Sequence, residues 1–397
     1  MGKQKKQLTK ENCGWVQNFI LIGKAQVNDY TFKIDQHSQN SDWIYNALNL
    51  GVNCGDNYGT IFCELMGGYG SGRDNFIYVR GKEADSESYT IDWDDRFDED
   101  ILKDISDMSF MQIALERDAQ GKPFYKKFLS PYDVIAYVKE HLKPDTVIAV
   151  KGRLKYTIYN DELQVRKEIT SIALPKSEID PSQFRATFTQ TVLLDKTSIG
   201  KADNEKSIIP ITGYVLEKFR EYNGKDLTED GKVKGGKLVP LRKTFEFEFD
   251  INNEKQTKLR LEKMFKVSKN ITLATFEGKL IEGGAVINAT EDDLDDDIKE
   301  LIELGFYTLE EVLSKFADNK SKERRMVIVK PYVKSIEQTD GSKKLEQQKF
   351  DNFYTEEDLI LDYLMVNEDE EEDEVPFDEV DELIDDLDDS SWLDDLG

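Results

Sequence analysis

Lys151, Arg153, Lys155, Thr157 and Tyr159 occupy alternate positions of VKGRLKYTIY, and Val150, Gly152, Leu154, Tyr156 and Ile158 fill the positions between them. In an extended chain, alternate side chains point to opposite faces. The spacing predicts a strand with one face for a core and the other carrying a row of cations that ends on a phenol ring. Such a row can follow a phosphate backbone and offer a base a ring to stack on, without reading base sequence. A solvated outer face is the competing reading for any one strand.

The pattern recurs. In GYVLEKFREYN, alternation puts Tyr214, Lys218, Arg220 and Tyr222 on one face, opposite Gly213, Val215 and Phe219. The segment after it, GKDLTEDGKVKGGK, carries Lys225, Lys232, Lys234 and Lys237 among glycines, which suits a loop closing over a strand as well as a simple hairpin loop. Lys330, Tyr332 and Lys334 share a face of RRMVIVKPYVK, where Pro331 suggests a sheet edge. Tyr69, Arg73, Phe76, Tyr78 and Arg80 add to these candidates around the glycines of GGYGSGRDNFIYVR, where the backbone is free to approach a phosphate; turns also want glycine, and Phe76 and Tyr78 equally suit a core. Trp15, Trp43 and Trp93 can each stack a base, but burial is the usual state of such a ring.

Enzyme chemistry finds few carriers. The interval from Gly224 to Lys232 is too long for a phosphate-cradling loop, and Val233 stands where that motif needs a hydroxyl. The only histidines, His37 and His141, have no nucleophile motif near them. DWDDRFDED and EDDLDDD could gather a divalent metal for phosphodiester cleavage, although acidic turns and helix starts are the commoner use of such runs. No catalytic residue, cofactor or metal is expected.

The net charge of −27 over 397 residues does not speak against a polyanion ligand. About 21 of the 80 acidic residues follow Thr355, where there is no Lys or Arg, so the remainder of the chain is close to balanced. Residues 367–397, NEDEEEDEVPFDEVDELIDDLDDSSWLDDLG, repel themselves and are expected to form a disordered acidic tail. Phe377, Trp392, Leu393 and Leu396 are set into that acid as docking anchors for a partner. Cys13, Cys54 and Cys63 lack metal-ligand spacing and an even count, which reads as reduced thiols in a cytoplasm. The basic start, MGKQKKQLTK, leads into no long apolar run, and no membrane partner is expected.

The elements that must position these residues are mostly strands. Aromatic and β-branched runs fill Gly14 to Leu174, with an insertion at Glu99 to Leu115 that reads as helical. One clear helix follows: Ser130 caps it, Pro131 starts it, and Val134, Ile135, Val138 and Leu142 share its inner face. Two alternating runs then meet at Asn160 and Asp161, a hairpin signal. After the linker PKSEIDPSQ the order of strands, helix and strand begins again. The expected architecture is mainly β with α insertions: two tandem OB-fold-like barrels followed by the disordered acidic tail. Its parts are a basic arm over 1–12, barrels over 13–178 and 183–338, a helical insertion at 291–317 in the second, and a linker with a short helix over 339–366.

VKGRLKYTIYNDELQV after a single helix, and a terminal acidic tail containing EDEVPFDEV, resemble bacterial and phage single-stranded-DNA-binding proteins. The resemblance covers the body loosely and the tail by composition. It implies an OB-fold holding single-stranded DNA through Lys151, Arg153, Lys155 and Tyr159. It also implies a tail that recruits replication and recombination proteins. Family tails commonly finish on Pro-Phe or Phe, whereas Val375-Pro376-Phe377 is internal here and the chain ends on Trp392-Leu393-Asp394-Asp395-Leu396-Gly397. Two domains with insertions point toward a phage or mobile-element version. An acidic DNA mimic that titrates a DNA-binding enzyme, and a carboxylate-metal nuclease, are the alternatives.

Overall fold

The computed structural model describes residues 10, 13–83, 86–160, 162–228, 236–267, 270–283, 299, 302, 309, 324–337 and 342–360. The N-terminal half contains β1 (Gln17–Gln26), β2 (Phe32–His37), β3 (Trp43–Asn53), β4 (Thr60–Gly70), the hairpin β5 (Phe76–Arg80) and β6 (Ser88–Asp92), and the short α1 (Glu99–Leu102). It continues through β7 (Met111–Arg117), β8 (Pro123–Phe128), α2 (Pro131–His141), β9 (Val147–Tyr159) and β10 (Glu162–Ala173). The second half contains β11 (Arg185–Leu194), β12 (Ile208–Phe219), β13 (Glu221–Tyr222), β14 (Lys225–Asp226), β15 (Lys237–Glu248), α3 (Glu254–Phe265), β16 (Ile271–Glu282) and β17 (Arg324–Pro331). Three strands follow, β18 (Val333–Glu337), β19 (Lys343–Gln347) and β20 (Lys349–Tyr354).

The protein is mainly β, built around one 14-stranded sheet. Within that sheet two circuits close on themselves. The first runs β1-β3-β4-β10-β9 and back to β1; the second runs β11-β12-β15-β17-β16 and back to β11. In each, the third and fifth strands meet in parallel while the other neighbours are antiparallel. A helix lies between the third and fourth strands of each circuit, α2 in the first and α3 in the second.

Local chemistry explains both helices. The Ser130 hydroxyl accepts from the Tyr132 N–H at 3.1 Å, Pro131 opens α2, and Val134, Ile135 and Val138 are buried in the first circuit. Asn253 caps α3 through the Gln256 N–H, and Phe265 at the other end packs against Phe247 and Phe276. The apolar faces of the strands supply the rest of the interior, including Phe19, Tyr156, Phe188 and Phe245. Cys54 and Cys63 lie in the same core; burial pushes the Cys54 thiol up to about 12 and raises Cys63 as well.

Two seams join the circuits. Asn18–Ile22 of β1 pair with β9 along one edge and with β11 along the other. Beyond them Lys24–Gln26 pair with β3 instead. The change of partner occurs at Gly23, where an added Cβ would stand 2.1 Å from the Asn53 carbonyl oxygen. At the second seam Glu282, at the end of β16, forms a buried ion pair with Lys167 of β10 and accepts from the Phe62 N–H at 3.1 Å.

Two expectations change. Of Glu99–Leu115 only Glu99–Leu102 is α-helical; Met111–Arg117 form β7, which pairs with β10 and β8 and so joins the sheet. The stretch read as a linker over 339–366 contains β19 and β20, the latter paired with β16, and its helical turn is a 3-10 turn at Glu357–Leu359. The helical insertion at 291–317 lies outside the described residues except at 299 and the neighbouring positions 302 and 309, which are helical. The tail over 367–397 lies outside them entirely. Among the described residues no helix is long and apolar enough to cross a membrane.

The buried ion pair yields a direct test. Glu282→Ala leaves a buried ammonium uncompensated, so it should lower stability by ~3–5 kcal/mol in urea melts, and replacing both partners together with Lys167→Met and Glu282→Leu should recover most of that loss.

Candidate nucleic-acid interface

The β9 face is built as its alternation requires up to Thr157; Ile158, expected on the inner face, is 37% exposed where the strand nears the hairpin tip at Asn160. Val150, Gly152, Leu154 and Tyr156 are buried, whereas Arg153 and Lys155 are exposed and Lys151 is half-buried beside them. Gly152 is obligatory on the inner side, because a Cβ there would stand 2.4 Å from the Phe19 ring. Tyr159 is 69% exposed at the hairpin tip, where Asn160 turns the chain with a φ of 50°. Across the sheet Lys151 faces Ser171, Arg153 faces Glu168 and Lys155 faces Arg166. The Lys155 ammonium sits 2.6 Å from Glu168, and Arg166 pairs with Glu64 of β4.

The two circuits meet beneath this strip. Past Arg153, β9 extends beyond its pairing with β1, and the Tyr156 N–H is taken by the Glu217 carboxylate of β12 at 2.9 Å. Gln17 donates to the same oxygen at 3.3 Å, and the Tyr156 hydroxyl donates to Gln190 at 2.9 Å. Burial raises the pKa of Glu217; the N–H groups of Tyr156 and Lys218, with Lys155 nearby, oppose the rise.

In the second circuit only part of the expected row stands. β12 ends at Phe219, so Arg220 and Tyr222 are not on the strand with Lys218. Asn223 and Gly224 turn the chain with positive φ into the small β13-β14 hairpin, and the Tyr222 ring packs edge-on to Phe219 at 5.6 Å. Tyr222 therefore serves packing. Tyr214 is half-buried against a cluster that includes Trp15, Leu216 and Tyr354, and faces Arg242 of β15. Lys218 and Arg220 are exposed. Lys232 and Lys234 lie outside the described residues.

The row Lys330, Tyr332 and Lys334 is also broken. β17 stops at Pro331, the Tyr332 N–H donates to the Thr275 carbonyl, and Lys334 belongs to β18, in a separate two-stranded sheet. Lys330 stays on β17, 2.8 Å from Glu277.

Tyr69 is a packing residue. Its ring lies 5.3 Å from Trp93 and 5.5 Å from Tyr132, with Arg96 stacked over Trp93. Arg73 is largely exposed near Asp42, and Arg80 shares a face of the β5-β6 hairpin with Phe76 and Tyr78. Those two rings, which as readily suited a core, are exposed by 56% and 80%. They belong on the surface because Ile77 and Val79, one residue out of phase, take the buried side. Arg166 and Arg242 extend these faces as the exposed cross-strand neighbours of Lys155 and Tyr214, and each holds an outward position in the alternation of its own strand. The anchors Phe377, Trp392, Leu393 and Leu396 lie outside the described residues.

No protein-family model matches the chain, and no curated protein matches it. Among solved structures, a deletion mutant of the single-stranded DNA binding protein from Thermus aquaticus matches over 68% of this chain and 87% of that one, at 8% identity and a TM-score of 0.28.

Tyr69→Ala should lower stability by ~2–3 kcal/mol through loss of the aromatic cluster, measured by thermal melting.

Proposed function

We propose that this protein binds single-stranded DNA without sequence preference and acts in phage-type DNA replication and recombination within a bacterial host cytoplasm. The observation that carries the reading is the outward face of β9, where Lys151, Arg153 and Lys155 stand in line with the exposed Tyr159 ring. Cations at strand spacing beside an aromatic suit splayed bases on a phosphate track, and offer little bidentate reading of a duplex groove. Supporting it, each closed circuit has the connectivity of a five-stranded barrel with one helix between its third and fourth strands. We take the two as tandem OB-folds over residues 13–178 and 183–338, with β20 added to the second.

Single strands should bind better than duplex in a salt-dependent mobility shift, and equal or stronger duplex binding sinks the reading. Replacing Lys151, Arg153 and Lys155 together by Ala should weaken binding and flatten the slope of log affinity against log salt by about 2. Tyr159→Ala should weaken binding by ~1–3 kcal/mol with the slope unchanged. No binding would favour the DNA-mimic alternative, and magnesium-dependent shortening of the oligonucleotide would favour the nuclease.

The acidic tail, on the same reading, competes with DNA for these cations and recruits replication or recombination partners through Phe377, Trp392, Leu393 and Leu396. Deleting residues 367–397 should tighten DNA binding most at low salt and abolish partner capture, whereas Trp392→Ala should impair capture alone. Unchanged affinity at every salt concentration together with unchanged capture would leave the tail a solubiliser.

A further inference from the structure

Beside the β9 strip the same sheet surface sinks into a groove of about 720 Å³. Ile20, Thr187 and Thr189 line it, with Tyr58 from the loop between β3 and β4 and Arg260 from α3. Arg185, Lys279 and Lys330 add positive charge, and Glu248 and Glu277 add negative charge.

Register puts groove and strip on one surface. Lys151 faces Ile20 across β9 and β1, Ile20 faces Thr187 across β1 and β11, and Thr187 faces Lys279 across β11 and β16. At ~4.8 Å per strand, the backbones at Lys151 and Lys279 are ~14 Å apart. One row along, Arg153, Asn18, Thr189 and Glu277 repeat the alignment.

We infer that a single strand of nucleic acid bound along β9 continues over β1 into this groove, where Arg185, Lys279 and Lys330 take its phosphates. The inference rests on the single-strand reading above and adds the path that joins the two circuits. Two of the cations are already paired: Lys279 stands 2.7 Å from Glu248 and Lys330 stands 2.8 Å from Glu277. Both pairs are partly exposed, where an ion pair holds its partners weakly. A phosphate can take the place of the carboxylate. Arg185 makes no ion pair among the described residues. Ile20 and Tyr58 offer apolar surface to a base, and the two threonines keep the floor low and polar.

The carboxylates are then internal competitors, which gives the proposal an unusual sign. Removing Glu277 should improve binding. If the groove is only a self-satisfied ion-pair surface, removing it should do nothing or do harm.

The test uses the full chain with fluorescent oligothymidylates of about 8 and about 40 nucleotides, bracketing the span of one barrel. Glu277→Gln should tighten the long oligonucleotide ~3–10-fold and steepen its salt slope by about 1, at unchanged stoichiometry. Arg185→Ala combined with Lys279→Ala should weaken the same complex ~10-fold and flatten the slope. The short oligonucleotide should change less than about twofold in both variants. Wild-type binding that both variants leave unaltered overturns the path while preserving single-strand binding. Equal changes at both lengths, or a variant that alters stoichiometry and not affinity, makes the groove a separate site and also overturns it. If the wild type binds no single strand of either length, the functional reading falls and the path falls with it.

Discussion

A strand inside a sheet has two hydrogen-bonding edges, and β1 gives them to different circuits. Between Asn18 and Ile22 its backbone is paired with β9 on one side and β11 on the other. A slip of one residue on either edge would turn every side chain to the opposite face and drive the core residues Phe19 and Leu21 into water. Burial of those two side chains thus fixes the register on both edges together. The alignment of Lys151 with Ile20, Thr187 and Lys279 follows from it, as does the placement of Glu217 under β9. Lys167 and Glu282 fasten the circuits at a second point, so the joint resists twisting as well as sliding.

The outer surface is close to neutral because its cations are interleaved with acids. Lys155 meets Glu168, Arg166 meets Glu64, Lys279 meets Glu248 and Lys330 meets Glu277. A polyanion arriving here exchanges partners with the cations. The gain per contact is smaller than for bare ammonium groups.

The β9 face was legible in the sequence because alternation over ten residues leaves one arrangement with an apolar interior, and α2 because Ser130, Pro131 and its inner-face residues all agree. The failures have a common origin. Alternation runs on in the sequence past the end of β12 to Arg220 and Tyr222, although Asn223-Gly224 is itself a turn signal that places a hairpin there. It likewise runs on past β17, where Pro331 ends the strand. Tyr69 was assigned by its glycine neighbours, but its environment comes from Trp93 and Tyr132, each more than twenty residues away. Strand β20 gave little signal because it is short and pairs with β16, which lies far before it in the chain. Local pattern reaches the face a strand presents; it does not reach where the strand stops or which distant ring meets it.

The described chain begins and ends in one place. Lys10 pairs with Asp358 at 2.5 Å and lies over the Tyr354 ring at 4.8 Å. The first ten residues carry four lysines and no acid, while those after Thr355 carry acids and no Lys or Arg. Segments of opposite sign are therefore rooted side by side on a single molecule. Their attraction is intramolecular, so dilution leaves it untouched and only ionic strength weakens it. A change of charge at Lys10 or Asp358 would therefore be felt at the root of both segments at once.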